Sequence, residues 1–361
     1  MGTLSDYLDW RGDLRFFEVG LCEVDSLILS MISYLDFGGI VPTAEEGGSI
    51  TFLETMRKYL KLCNGKPSTL GRFVPPETVA VAVKAAKTRR FAGIRLSHYI
   101  CETDDEEPKQ FAALTFRITR DKYFVTYRGT DDTLTGWKED FNMSFMLPVP
   151  AQLSAAEYFA RVSEDINGKF YLGGHSKGGN LAVYAAVKAP ERAKEHILGV
   201  FSNDGPGFDK NFISGRDYAE MKDRIRTIVP QSSVVGMLLE HEENYEVIKS
   251  NATGLLQHHG HTWEVMGGSF LHLDTVTEDS RLIDEKLKAW LDEMTPEERE
   301  QFVDTVFETL SSTNAKTLTE LSSEKVKLVK AWSSLEPKTR NVILKCISIL
   351  IKHNAITIVK K

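Results

Sequence analysis

The fold is decided by the stretch Phe170-Tyr-Leu-Gly-Gly-His-Ser-Lys-Gly-Gly-Asn180, in which an apolar run passes through glycines into a helical segment. It contains Gly174-His175-Ser176-Lys177-Gly178, the pattern G-x-S-x-G. Between a strand and a helix, this pattern predicts a nucleophile elbow, a turn so tight that its serine adopts strained backbone angles. Glycines are needed two positions before and after the serine, because side chains there would collide with the strand and the helix. We therefore expect Ser176 to project from the carboxyl edge of a sheet.

The flanking residues favour an elbow over the alternative, in which the glycines form an ordinary turn and the serine is incidental. An apolar run ends at Leu172, and an alanine-rich helical segment follows the motif and stops before Pro190. This is the strand-turn-helix context that the mechanism requires. With a helix expected over Gly179 to Lys188, its free N–H groups and positive dipole end would lie near a developing oxyanion. A serine that is in place but inactive remains open.

A second segment, Tyr127-Arg128-Gly129-Thr130-Asp131-Asp132, closes a strand upstream of the elbow, and Trp137 and Asp140 follow it. This order resembles the Phe-Arg-Gly-Thr…Asp-Trp…Asp signature of class 3 lipases, which are α/β-hydrolases. The elbow His175-Ser176-Lys177-Gly178-Gly179 resembles the His-Ser-x-Gly-Gly of the same family. The likeness covers the middle of the chain.

A wider resemblance links the chain to a bacterial lipase-like family of unassigned function. It rests on Asp6–Leu14, on Ser202-Asn203-Asp204-Gly205-Pro206-Gly207 and on Val229-Pro230-Gln231-Ser232-Ser233. This closer likeness runs from Leu4 to about Val265 and so covers most of the chain.

The resemblance implies a serine hydrolase in which Thr130 helps to form the oxyanion hole, through its backbone N–H or its hydroxyl. The second donor would be the backbone N–H of Lys177, the residue after the nucleophile. Taken alone, the upstream segment is more typical of a strand end with a glycine turn, in which Arg128 pairs with a nearby carboxylate. Beside the elbow, we favour the oxyanion role.

A serine nucleophile needs a general base, and in this fold the chain order is serine, acid, histidine. The cluster His258-His259-Gly260-His261 follows the last expected strand in a glycine-containing loop, which can bring an imidazole to the sheet edge. His258 is the first choice because Leu255-Leu256-Gln257 places it nearest the core, and His259 is the second. Three histidines within four residues cannot all face one metal without distant ligands, so we expect no metal.

The acid is harder to assign from the sequence. Class 3 lipases carry an Asp just after the strand that here ends at Pro230, where this chain has Gln231-Ser232-Ser233. Asp204, at the carboxyl end of the preceding strand, is the best substitute. An Asp204 that only shapes a turn, or an acid supplied by Glu240 or Glu242, remains open.

The central region alternates strand and helix signals, which implies a largely parallel sheet covered on both faces and hence the α/β class. The connection Arg120-Asp121-Lys122 indicates a hairpin, and Ser154-Ala155-Ala156-Glu157 predicts a capping box that opens a helix. Strands are expected at Phe111–Thr119, Tyr123–Arg128, Phe170–Leu172, Ile197–Ser202, Ile225–Val229 and Tyr245–Lys249.

Helical additions are expected on both sides of this α/β-hydrolase-like, mostly parallel sheet. The division is an N-terminal helical region packed on the core (1–96), the α/β-hydrolase core (97–273) and a C-terminal helical appendix (274–361). Apolar spacing, start prolines and caps predict the helices. They are Val24–Leu35, Thr51–Cys63, Pro75–Lys87, Leu282–Leu291, one starting at Thr295-Pro296-Glu297-Glu298, Glu324–Trp332 and Lys338–Lys352.

Composition excludes several classes of protein. The 361 residues are 42% hydrophobic and 26% charged, which is typical of a globular chain rather than a disordered one. Lys+Arg 44 against Asp+Glu 51 gives a net charge of −7, which argues against nucleic acid as a partner. The four cysteines form no C-x-x-C pair, so neither a zinc site nor a disulfide framework is indicated.

The sequence offers no segment that is long and apolar enough for a transmembrane helix, which takes about 20 residues. The best candidate, Val342–Ile351, is too short and contains Lys345, and the first 15 residues lack the apolar core of a secretory signal. The default expectation is therefore a cytoplasmic protein. Transient contact with a membrane surface and the oligomeric state are left open.

These residues predict acyl transfer to water. Ser176 would attack an ester carbonyl and His258 would carry the proton, with no metal or organic cofactor required. The substrate would be a small-molecule or lipid ester, with short acyl esters and thioesters also open. Two rivals remain: a peptidase or amidase with the same triad, and a catalytically inactive hydrolase-fold protein whose helical regions bind a partner.

Overall fold

The computed structural model describes residues 2–65, 74–313 and 315–323, together with the single positions 333, 337, 340 and 341. These residues form a nine-stranded sheet in the order β1-β2-β3-β4-β5-β6-β7-β8-β11 and a separate β9-β10 pair. The strands are β1 Ile50–Thr51, β2 Arg95–Asp104, β3 Lys109–Arg117, β4 Lys122–Tyr127, β5 Lys169–His175, β6 Ile197–Asn203, β7 Ile225–Pro230, β8 Glu246–Ile248, β9 Val265–Met266, β10 Ser269–Phe270 and β11 His272–Leu273.

The helices lie before, between and after these strands. They are α1 Leu4–Arg11, α2 Glu23–Ile32, α3 Phe52–Leu62, α4 Pro76–Ala85, α5 Leu134–Asn142, α6 Pro150–Asp165, α7 Lys177–Val187, α8 Glu191–Lys194, α9 Lys210–Ile213, α10 Arg216–Met221, α11 Glu278–Asp292, α12 Pro296–Ser311 and α13 Leu318–Ser323.

Strands β4 to β8 run parallel to one another and carry the predicted site, while antiparallel strands complete the sheet at both sides. The hairpin between β3 and β4 is present as predicted. Because parallel strands end at the same edge, the residues after β5 and β6 meet there. Those residues are Ser176 and Asp204.

Successive residues of the central strands face opposite sides of the sheet, as the pleat requires. Phe124 and Phe201 belong to a hydrophobic cluster that includes residues of α2 and α4, whereas Val125 and Val200 belong to another that includes residues of α6 and α7. The sheet is thus covered on both faces, which confirms the predicted α/β class.

The N-terminal helices are part of the main core. Every residue of α2 is buried, and Leu27 belongs to the same cluster as Ile228 of the sheet. Strand β1, at Ile50–Thr51, pairs with β2 and so extends the sheet from within the first 96 residues. The division into 1–96, 97–273 and 274–361 remains a prediction.

Helix α6 begins earlier than predicted. The expected capping box at Ser154–Glu157 lies inside the helix, which starts at Pro150. Proline is well suited to the first helical position. The side chain of Gln152 accepts a hydrogen bond from Val149 N at 2.9 Å, and Glu139 accepts one from Ala151 N at 2.8 Å. These contacts supply the cap that Ser154 was expected to provide.

In the C-terminal region, α12 begins at the predicted cap, where Thr295 and Glu298 form a capping box. The helix expected over Glu324–Trp332 lies outside the described residues, as does that over Lys338–Lys352 except at positions 340 and 341. Among the described helices, none has the length and apolar character needed to cross a membrane.

Candidate active site

Ser176 occupies a nucleophile elbow between β5 and α7. Its backbone has φ +59° and ψ −134°, values that a non-glycine residue rarely adopts. A Cβ at Gly178 would lie 2.1 Å from the carbonyl oxygen of Tyr127, and one at Gly174 would lie 2.1 Å from the backbone of Gly178. A side chain at either position would clash with the backbone, so both positions require glycine. Since α7 begins at Lys177 rather than at Gly179, the serine stands directly at the helix N-terminus.

The predicted base and acid lie in contact. His258 Nδ1 is 2.6 Å from Asp204 Oδ2, and the Asp204 carboxylate is fully buried. Asp204 follows β6 with φ +52°, and its N–H donates to the carbonyl of Ile228 on β7. The neighbouring parallel strands thus fix the acid at the sheet edge that carries Ser176. The catalytic roles of these three residues remain predictions.

Two groups from the chain after β7 hold the second oxygen of Asp204. Ser233 Oγ and the backbone N–H of Gly236, the latter at 3.1 Å, both donate to Asp204 Oδ1. Sequence reasoning treated Ser233 only as a departure from the class 3 pattern. Its position, where that family places an acid, was the available signal that it belongs to the site.

His175, the residue before the nucleophile, supports the loop of the predicted base. Its Nε2 lies 2.7 Å from the carbonyl oxygen of His258, so Nε2 carries the hydrogen that is donated. Its Nδ1 then accepts from the hydroxyl of Tyr34 at 3.0 Å. Burial lowers the pKa of His175 well below its ordinary value, so the ring stays neutral and keeps this tautomer.

The rings of His175 and His258 pack with their centroids 4.6 Å apart, which places His258 beside the elbow. Within the described residues, neither Ser176 Oγ nor His258 Nε2 makes a hydrogen bond to another group. Catalytic hydrogen bonds of this type are often long before substrate binds and shorten in the complex. Both atoms are thus available for proton transfer.

The segments that carry the two predicted oxyanion donors flank Ser176. A Cβ at Gly129 would lie 2.5 Å from the carbonyl oxygen of His175, so glycine is what lets the segment containing Thr130 approach the elbow. Thr130 Oγ1 donates to Asp140 Oδ2, which fixes the rotamer of this side chain. Lys177 is the first residue of α7, and its N–H has no acceptor within the helix.

Burial raises the pKa of Asp140 to about 6, with Lys177 and Thr130 acting in the opposite direction. The partner of Thr130 is therefore a carboxyl group that titrates near pH 6. Sequence reasoning placed Asp140 in the family signature but gave it no contact.

The side chain of Lys177 points away from the reacting atoms into a buried polar network. Its Nζ donates to Glu139 at 2.9 Å and to the backbone carbonyl of Gln110 at 2.9 Å. Glu139 also accepts from the N–H groups of Gln110 and Ala151. The network ties the elbow to β3, α5 and α6. Nothing local in the sequence indicated Glu139, because its partners come from three separate elements.

The alternative site residues lie apart from the His258–Asp204 pair. The ring of His259 stacks on that of His261, and burial beside other histidines lowers its pKa to about 4. The Glu240 carboxylate lies 3.5 Å from Lys288 and 4.0 Å from Lys210. Neither residue contacts Asp204 among the described contacts.

One cluster outside the site has metal-like composition: Glu23, Glu246 and His272 lie close enough to share an ion. Arg226 already binds both carboxylates, with distances of 2.6 Å to Glu23 and 2.7 Å to Glu246. The neutralising charge is thus supplied by the protein itself. We interpret the cluster as an ion-pair network that joins α2 to the end of the sheet.

A strained serine between a parallel strand and a helix, followed in the chain by a buried aspartate and a histidine, defines a lipase-like α/β-hydrolase. The chain belongs to the Mbeg1-like family, whose model matches residues 85–308. That segment includes the elbow, the acid and the histidine loop. The curated proteins contain no match.

Several solved lipases are similar to this chain at low identity. A fungal lipase in an inhibitor complex is 16% identical with a TM-score of 0.31, covering 40% of this chain and 63% of its own, so the chain spans less than two thirds of that lipase. Lipase II from Rhizopus niveus is 18% identical with a TM-score of 0.36, covering 61% of this chain and 98% of its own. The M37 lipase is 15% identical with a TM-score of 0.39, covering 60% of this chain and 70% of its own.

Proposed function

We propose that this protein is a serine hydrolase that cleaves carboxylic esters through an acyl-enzyme. The observation that carries the proposal is the 2.6 Å contact between His258 Nδ1 and Asp204 Oδ2, beside the elbow that presents Ser176. A buried carboxylate on Nδ1 selects the tautomer that leaves Nε2 free to accept a proton, which is the arrangement a general base needs.

The geometry supports the following chemistry. Ser176 Oγ attacks the ester carbonyl while His258 Nε2 takes the hydroxyl proton, and the C–O bond of the leaving alcohol breaks as that proton is returned to it. His258 then takes a proton from water as the water attacks the acyl-enzyme, and Ser176 is released. The backbone N–H groups of Thr130 and Lys177 would stabilise the tetrahedral oxyanion in both steps. Asp204 orients the imidazole and stabilises its charged form.

An apolar acyl group is the substrate feature that we favour. A cleft of about 400 Å³ is formed by segments that follow the carboxyl ends of β4, β6 and β7, the edge that carries the elbow, together with residues of α11 and α12. Its apolar lining comes from Met143, Phe145, Met146, Leu147, Phe208 and Leu239. Charged side chains, among them Asp209, Lys210 and Arg299, also line the cleft. The apolar part of the lining is suited to a hydrocarbon chain.

The test is covalent labelling with a fluorophosphonate probe, which reacts with activated serines. Wild type should be labelled, Ser176→Ala should not, and Ser163→Ala on α6 should be labelled like wild type. A folded wild type that stays unlabelled would overturn the proposal and favour a non-catalytic, partner-binding role. A series of p-nitrophenyl esters of increasing chain length, with matched anilides, then separates esterase from amidase activity.

A further inference from the structure

A second cleft lies at the opposite edge of the sheet and is rich in arginine. It has a volume of about 680 Å³ and is formed by the segment after α1, the segment between α4 and β2, and the β3–β4 turn. None of the residues that line it is acidic. We call it the arginine cleft, after its six arginines: Arg15, Arg89, Arg90, Arg95, Arg117 and Arg120.

Among the described residues, four of these six arginines take part in no ion pair. Arg90 is fully buried and pairs with Asp25 at 2.5 Å, and Arg89 lies 3.4 Å from Glu18. The other four are exposed, and among the described residues no carboxylate lies within ion-pair distance of them. In a chain of net charge −7, this is a local concentration of positive charge. Repulsion among the four is relieved by binding an anion.

The pairing of β2 with β3 places two of these arginines against each other, which lowers the stability of the protein without a ligand. Arg95 and Arg117 stand directly opposite each other on the antiparallel strands β2 and β3. Like charges in directly opposed positions destabilise a sheet. Sequences selected for stability alone avoid like charges at opposed strand positions. Exceptions to such rules concentrate at functional sites.

The two guanidinium groups are also held in fixed positions. Arg95 donates from Nε and Nη2 to the hydroxyl and carbonyl of Ser49, at 2.7 and 2.6 Å. Arg117 donates from Nε and Nη2 to the carbonyls of Thr119 and Arg120, at 3.3 and 2.8 Å. Within the described residues, Nη1 of each has no acceptor. The side chains are therefore ordered before a ligand arrives, which lowers the entropy lost on binding.

We propose that the arginine cleft binds a compact ligand that carries at least two phosphate groups. Guanidinium groups match phosphate oxygens in geometry and charge and remain charged at every physiological pH. The cleft is separated from Ser176 by the length of β4, roughly 20 Å for a strand of this size. The ligand is therefore not the substrate of the hydrolase site, and the proposal does not depend on ester hydrolysis.

Binding is tested with two probes on the full chain. Tripolyphosphate, measured by isothermal titration calorimetry at physiological ionic strength, represents a free polyphosphorylated molecule. Phosphatidylcholine vesicles with and without phosphatidylinositol bisphosphate, measured by co-sedimentation, represent a lipid headgroup. Binding to tripolyphosphate alone supports a soluble ligand. Binding to the bisphosphate vesicles that tripolyphosphate displaces supports a lipid headgroup.

The variant Arg95→Gln/Arg117→Gln should weaken whichever binding is seen by roughly tenfold or more, because it removes charge-assisted contacts. The matched control Arg192→Gln/Arg216→Gln removes two exposed charges that lie outside the cleft and should change binding less than about twofold. Thermal unfolding of the cleft variant should stay close to that of wild type, since relief of the opposed charges offsets the loss of the hydrogen bonds to Ser49, Thr119 and Arg120.

Three results would overturn the proposal: wild type binds neither probe, the two double variants bind alike, or the cleft variant binds like wild type. Because the labelling of Ser176 reports on the other edge of the sheet, it should be unchanged in the cleft variant. Failure of this proposal and failure of the hydrolase proposal are thus distinguishable.

Discussion

Ser233 Oγ donates a hydrogen bond to Asp204 Oδ1, the carboxylate oxygen that does not contact His258. The two residues follow adjacent parallel strands, β6 and β7. In the class 3 pattern the acid follows the strand that bears Ser233 here. In this chain the predicted acid, Asp204, follows the neighbouring strand β6, and Ser233, which comes after β7, donates a hydrogen bond that orients its carboxylate.

Replacing Asp204, the predicted acid, should therefore lower kcat more than replacing Ser233, which orients it. We expect Asp204→Asn to lower kcat on a p-nitrophenyl ester by about 10²- to 10⁴-fold, because the imidazole loses its tautomer and its counter-charge. Ser233→Ala should lower it by about tenfold, since Gly236 N–H still holds the carboxylate. Glu240→Gln is the control and should stay within about twofold of wild type. Equal activity of Asp204→Asn and Glu240→Gln would remove Asp204 from the triad.

The two adjacent histidines should differ sharply in importance. His258→Ala should reduce kcat by about 10³-fold or more, because the general base is lost. His259→Ala should keep most of the activity, since its ring stacks on His261 rather than on Asp204. Steady-state ester hydrolysis by the two purified variants measures this. A reversed order would show that His259 is the base.

The network under the elbow should matter for stability more than for chemistry. Lys177→Met leaves the buried Glu139 without its cation and should lower the free energy of unfolding by about 3–5 kcal/mol. The double variant Lys177→Met/Glu139→Gln should recover part of that loss. Lys188→Met, at an exposed pair with Asp217, should cost less than about 1 kcal/mol.

Urea unfolding measures these free energies, and fluorophosphonate labelling measures the fraction of competent elbow. The extent of Ser176 labelling should be proportional to the fraction of folded protein, because the substitution leaves the backbone N–H of residue 177 in place. A variant that is fully folded but unlabelled would give the Lys177 side chain a direct catalytic role instead.

Acid should destabilise the protein through its buried histidines. The pKa of His259 is about 4 against an ordinary value of 6.5, so between these values the unfolded chain binds a proton that the folded chain does not. The free energy of unfolding therefore falls as the pH falls through this window, by up to about 1.4 kcal/mol per pH unit for this group. Burial acts on His175 in the same direction.

Urea unfolding of wild type and His259→Gln at about pH 7 and pH 5 tests this linkage. The variant should lose less stability on acidification, because one titrating group has been removed. The same substitution at the exposed His196 controls for the effect of replacing a histidine. An identical loss in wild type and His259→Gln would contradict the prediction.

The close approach at Gly129 gives a further prediction. In Gly129→Ala the new Cβ would meet the hydroxyl of Tyr34 and the carbonyl oxygen of His175, which forces the segment bearing Thr130 away from the elbow. We expect kcat to fall by about 10²-fold, the cost of losing one oxyanion donor, with KM changed less. Adding Tyr34→Phe should restore little, because the backbone carbonyl still blocks the position. Wild-type kcat in Gly129→Ala would exclude this segment from the oxyanion hole.

The sequence was sufficient for the features that depend on local pattern. The parallel core, the elbow at Ser176 and the cap at Thr295 each follow from short motifs whose physical requirements are local. The contact between Asp204 and His258 followed from strand order, because residues that leave one edge of a parallel sheet must lie close together. For the acid, strand order favoured Asp204 but left Glu240 and Glu242 open.

What the sequence did not predict depends on contacts between distant segments. Tyr34 and His175 are 141 residues apart, and Tyr34 lies in an apolar segment that gives no sign of a polar partner. Glu139 binds the N-terminus of α6 and thereby moves the helix start to Pro150, ahead of the local signal at Ser154. The Tyr34–His175 hydrogen bond is set by the tertiary structure alone, whereas the start of α6 combines the tertiary contact from Glu139 with a local proline and the Gln152 cap.

The hydrogen bond from Tyr34 to His175 determines which fragment of the chain can keep the elbow intact. The family match begins at residue 85, so a fragment cut to it would keep Ser176 and His258 but lose the tyrosine behind the elbow. It would also lose Asp25, the buried partner of Arg90. A minimal expression unit must therefore start upstream of α2.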